Sequence, residues 1–99
     1  MFNSNSLIDY KIYSSLTKLR VCESQYAFSK LMGRSPSYFS CLQSQKMALS
    51  VLSLLKLKHA VLNVANAESH PRKQTLLRDL CGILDAEVIR RSSAQTALQ

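Results

Sequence analysis

The chain has 99 residues, 46% of them apolar and 19% charged, which fits one folded domain with a modest core and leaves little room for a deep catalytic cleft. Thirteen Lys and Arg against six Asp and Glu give a formal net charge of +7, which favours a polyanionic partner, nucleic acid ahead of an anionic membrane. Three cysteines, Cys22, Cys41 and Cys81, form no CxxC pair, and the start MFNSNSLIDY has neither a basic nor an apolar signal region. Reduced thiols in a cytoplasmic protein are the expectation.

Two Gly and two Pro in a chain rich in Leu, Ala, Ser, Lys and Gln predict an all-α fold of about five helices. The first starts near Ser6, with Leu7, Ile8, Ile12, Leu16 and Leu19 along one stripe. Ser24 is the expected N-cap of a second helix that runs through Phe28, Leu31 and Met32 and ends at Gly33, where a left-handed residue is wanted. Ser35 is expected to cap the third helix, with Pro36 in its first turn and Phe39 and Leu42 turned inward.

The fourth helix is expected over residues 48–66, with Leu52, Leu55 and Leu62 near one face and Leu54, Leu57 and Val61 widening the apolar arc. Pro71 is expected to open the last helix, striped by Leu76, Leu77, Leu80, Leu84 and Val88. This ordering divides the chain into a head at 1–66, a connector and C-terminal helix of the same domain at 67–92, and a flexible tail at 93–99.

The stretch QYAFSKLMGRSPSYFSCL, residues 25–42, carries the functional signal. Two short helices around a tight glycine turn are the elements of a helix-turn-helix. Gln25, Phe28, Ser29, Gly33, Phe39 and Leu42 together resemble the helix-turn-helix of the Cro/C1-type phage repressor family. The pattern departs from that family at Arg34, where an apolar residue is usual, and at Pro36, at the start of the recognition helix.

The resemblance implies sequence-specific binding of double-stranded DNA by a small, repressor-like transcriptional regulator of bacterial, phage or plasmid origin. It implies a third helix seated in the major groove and a backbone phosphate bound by Gln25. On the non-core side of that helix, Ser35, Ser37, Tyr38, Cys41 and Ser44 are the candidate base-facing residues, and Gln43 and Gln45 are further readers. Lys30, Arg34 and Lys46 flank it as candidate phosphate ligands.

Repressors of this type bind as dimers, and the spacing of Leu76, Leu80, Leu84 and Val88 suits helix packing. That stripe serves either burial against the fourth helix or a homodimer interface, and a mixture of the two is expected. The competing function is a protein–protein interaction module, such as a phage- or plasmid-encoded inhibitor on the same scaffold.

A membrane partner is not expected, because the cations are dispersed and the apolar run at 47–65 is broken by Lys56, Lys58, His59 and Asn63. Cys22, Cys41, His59 and His70 match no zinc-site spacing. No catalytic set, cofactor or small-molecule substrate is expected.

Overall fold

The computed structural model describes residues 4–97, with side chains for 5–93. Its five helices are α1 (Ser4–Lys18), α2 (Gln25–Leu31), α3 (Tyr38–Ser44), α4 (Val51–Ala67) and α5 (Pro71–Ala97), and the described residues include no strand. The all-α expectation and the helix count hold. The chain divides into two compact units between Ser50 and Val51, so α4 groups with α5 rather than with a head ending at residue 66.

The first unit holds α1, α2 and α3. Ile12 and Leu16 of α1 are buried, as are Cys22, Phe28, Met32, Phe39 and Leu49. The aromatic centre is tight: the rings of Phe28 and Phe39 meet edge-on at 4.7 Å, and Tyr13 lies 5.3 Å from Phe28 and 5.4 Å from Phe39.

Leu7 does not join this core. At 100° per residue it lies about 140° around the helix from Ile12, and it is exposed. Asp9 and Ser6 occupy the buried face instead. The Asp9 carboxylate accepts the Leu49 N–H at 2.8 Å, and Ser6 accepts the Gln43 side-chain amide at 3.1 Å on Oγ and 3.3 Å on its carbonyl. Burial of a carboxylate is tolerable only with such donors. Gln43, an expected base reader, is thereby tied to α1.

All three helices of this unit end in the same way. The N–H two residues past the C-cap returns to a carbonyl five residues back: Val21 to Leu16 at 2.9 Å, Arg34 to Ser29 at 3.1 Å, and Met47 to Leu42 at 2.8 Å. This is the Schellman motif, which needs a left-handed residue just after the C-cap. Gly33 fills that place at φ 68°, as expected, but the other two are Arg20 at φ 61° and Lys46 at φ 56°. A side chain in that region costs about 1–2 kcal/mol relative to the right-handed conformation.

The start of α3 corrects the sequence reading. The helix opens at Tyr38 with Ser37 at its N-cap, and the Ser37 side chain makes no capping bond. Ser35 and Pro36 lie in the lead-in turn, where the Ser35 carbonyl accepts the Tyr38 N–H at 3.0 Å. Ser24 caps α2 as expected, its Oγ accepting the Ala27 N–H at 3.1 Å.

The second unit is a helical hairpin. Leu54, Leu57, Val61 and Ala65 of α4 are buried, as are Leu77, Leu80, Cys81 and Leu84 of α5. The Gln74 amide donates to the Ala65 carbonyl at 3.0 Å beside the turn, and Lys58 pairs with Asp85 at 2.5 Å further along, so the helices run antiparallel. The α4 face expected to lead the packing, Leu52, Leu55 and Leu62, is instead exposed, and the arc expected to widen it is the core.

Within α5, Arg91 is buried and reaches Glu87 one turn back at 3.0 Å; Arg90 holds the same carboxylate at 2.6 Å. Hydrogen bonding from Arg90, supported by Arg91, lowers the Glu87 carboxyl below its ordinary range. Helix α5 continues through most of the segment read as a tail, to Ala97; residues 98 and 99 lie outside the described ones.

Candidate nucleic-acid interface

The geometry around α2 and α3 is set by one buried hydroxyl. Ser29 Oγ donates to the Gln25 carbonyl at 2.9 Å within α2 and accepts the Phe39 N–H of α3 at 3.0 Å. Both Ser29 and Phe39 are fully buried. A residue larger than serine at 29 would push α3 away, and one without a hydroxyl would leave the Phe39 N–H without this partner.

This arrangement turns the other side of α3 outward. Ser37, Cys41 and Ser44 follow at four- and three-residue intervals, and all three are exposed, as is Ser35 in the turn. The Ser44 hydroxyl donates to the Cys41 carbonyl at 3.0 Å, and the exposed Ser40 hydroxyl donates to the Ser37 carbonyl at 3.0 Å. Their protons are committed to the helix backbone, and their oxygens face outward as acceptors. Tyr38 is half-buried, with the Arg34 guanidinium 5.2 Å from its ring centroid. Arg34, at the position where the resembled family carries an apolar residue, therefore packs on an aromatic face at the edge of the motif.

A second such pair lies on α2. Lys30 Nζ stands 5.9 Å from the centroid of the exposed Tyr26 ring. The four-residue spacing of Tyr26 and Lys30 is the signal in the sequence for this pair. Gln25 is half-buried at the start of α2, and Lys46 is exposed in the turn after α3. All four expected phosphate ligands thus belong to α2, α3 or the turns that end them.

The two units carry similar net charge, +4 in the first and +3 in the second, but differ in how their charges are paired. The second satisfies many of its own charges through Lys58–Asp85, Lys73–Glu68 and the Glu87 pairs with Arg90 and Arg91. The first carries Lys11, Lys18, Arg20, Lys30, Arg34 and Lys46 against Asp9 and Glu23. Of these cations, Lys11, Lys18, Arg20, Lys30 and Lys46 are exposed and have no ion-pair partner among the described residues.

The expected dimer stripe is not a single free face. Leu80 and Leu84 are buried on the core side of the hairpin, Val88 is half-buried and Leu76 alone is exposed, because a strict four-residue repeat drifts around a helix of 3.6 residues per turn. Among the described residues, no three His, Cys, Asp or Glu side chains group as a metal site, and no helix is long and apolar enough to cross a membrane. Cys22 and Cys81 are buried thiols whose pKa burial pushes up, and Cys41 is exposed.

These features define a small all-α protein with a three-helix unit that presents a basic, tyrosine-bearing surface, followed by a helical hairpin. Residues 10–97 match a family of unknown function, DUF6626, and the chain belongs to that family. No curated protein and no solved structure matches it.

Proposed function

We propose that the first unit binds double-stranded DNA through α3 and the turns around it, and that the protein acts as a small, repressor-like transcriptional regulator related to the Cro/C1 type. The observation that carries this reading is the set of exposed cations without carboxylate partners on the unit that holds the Ser29–Phe39 contact between α2 and α3. Phosphate neutralisation by such groups releases counterions and provides most of the affinity.

In this reading Lys30, Arg34 and Lys46 hold backbone phosphates, with Gln25 at the start of α2 as a further phosphate contact. Ser35, Ser37, Tyr38, Cys41 and Ser44 face the groove. The serine hydroxyls and the Tyr38 ring discriminate bases weakly, so DNA shape carries much of the selectivity. Two heads brought together in a homodimer would read two half-sites.

Gel retardation with the duplex upstream of the protein's own coding sequence tests this. Arg34→Ala and Lys46→Ala are expected to weaken binding to every sequence, and Ser37→Ala or Tyr38→Ala to change the preference among sequences. One observation favours a second reading, a protein partner: the Ser37, Cys41 and Ser44 stripe carries no long polar reader. Absence of retardation at any salt, with a specific protein recovered on the α3 face, would replace the DNA reading.

A further inference from the structure

One side of the hairpin in the second unit is marked by the ion pair between Lys58 Nζ and Asp85 Oδ1, 2.5 Å apart. Helical spacing identifies what shares that side. Leu55 lies three residues before Lys58 and Leu62 four after it; Gly82 lies three before Asp85 and Ile89 four after it. Leu55, Leu62 and Ile89 are 44%, 37% and 67% exposed, and a Cβ built on Gly82 would meet nothing within 4 Å. The ion pair is thus flanked by leucines on α4 and by isoleucine and bare backbone on α5. Helix α4 already buries Leu54, Leu57 and Val61, so this is its second apolar stripe.

We infer that this side of the hairpin docks against the same side of a second copy, giving a four-helix homodimer whose two-fold axis runs along the hairpin. The charge pattern selects both the occupant and the arrangement. A cation on α4 beside an anion on α5 complements itself when rotation about that axis lays α4 of one copy over α5 of the other, because Lys58 then faces the second copy's Asp85. The other face-to-face rotation lays α4 on α4 and opposes two lysines and is disfavoured. In the selected arrangement Leu62 descends onto the open backbone at Gly82 and Leu55 onto Ile89. Every contact is used twice, as an isologous interface requires.

Sedimentation equilibrium and light scattering on the full chain test the interface. The wild type is expected to approach twice 11.1 kDa in a concentration-dependent way. Gly82→Arg, which raises helix propensity while obstructing the close approach, and Leu62→Lys, at an exposed position, are each expected to give a helical monomer. Lys58→Asp and Asp85→Lys should each weaken association at least about tenfold, equivalent to 1.4 kcal/mol. The double swap should restore it. A wild-type monomer up to about 0.1 mM, a dimer indifferent to both Gly82→Arg and Leu62→Lys, or a double swap that stays monomeric would each overturn the inference. The interface lies wholly in the hairpin, so a monomer that still retards DNA would refute it while leaving the reading of the first unit standing.

Discussion

Ser29 Oγ accepts the Phe39 N–H at 3.0 Å while donating to the Gln25 carbonyl, so one buried hydroxyl joins α2 to the first turn of α3. Ser29→Ala keeps the space and removes the acceptor, leaving a buried N–H without its partner at a cost of about 1–3 kcal/mol. Urea denaturation should show that loss. Ser29→Leu should cost more, by overpacking against the fully buried Phe39. Under the DNA reading both variants also weaken retardation, because the outward face of α3 loses its fixed presentation.

The three Schellman turns predict substitutions of opposite sign. Gly33→Ala should destabilise by about 1 kcal/mol, and Arg20→Gly should stabilise by up to about 1 kcal/mol, because each changes the cost of a left-handed residue. Lys46→Gly separates fold from function. It should raise the melting temperature while weakening DNA binding uniformly across sequences, and thermal denaturation run beside a binding titration reads both.

Gly82 sits in the interior of α5 with open space where a Cβ would lie. Gly82→Ala should therefore stabilise the hairpin by about 0.5–1 kcal/mol through helix propensity and reduced freedom of the unfolded chain. Thermal melts followed by circular dichroism, at concentrations low enough to dissociate the inferred dimer, check this, and a destabilised variant there would mean that a group of the same copy approaches Gly82 closely.

Glu87 predicts the direction of the acid response. Its carboxyl is lowered by Arg90 first and Arg91 second, so the folded state binds its proton less readily than the unfolded state. The stabilisation is fully present above the unfolded value of about 4.3 and disappears as pH falls through the lower, folded value. Chemical denaturation at pH 7 and below pH 4 should show the wild type losing more stability than Glu87→Gln over that interval.

Much of the architecture was legible in the sequence because its signals are local. Ser24, Gly33 and Pro71 mark helix ends through their own backbone chemistry, and all three lie at or beside the ends they indicate. What escaped depends on partners distant in sequence. Nothing local marks Asp9 for burial, because the Leu49 N–H that its carboxylate accepts lies 40 residues away. Gln43 reads as a base contact until Ser6, 37 residues away, claims its amide.

Helix α4 is apolar on two sides, so periodicity alone does not tell Leu55 and Leu62, which are exposed, from Leu54 and Val61, which are buried. The candidate interface was legible in outline, since α2, Gly33 and the lysines that flank α3 are all local features. The cation–aromatic pairs at Lys30–Tyr26 and Arg34–Tyr38 follow four-residue spacing. The sequence nonetheless carried Arg34 and Tyr38 as separate contacts rather than as one.

DNA binding by the first unit is read out by fluorescence anisotropy of a labelled duplex titrated with the protein across a salt series. Binding is expected at low salt, with a logarithmic affinity that falls linearly with the logarithm of salt at a slope of about −0.9 for each phosphate neutralised. Replacing Lys30 or Lys46 by alanine should reduce that slope by about one unit. No binding at low salt, or binding whose salt slope is unchanged in both variants, would contradict a DNA-binding role for this surface.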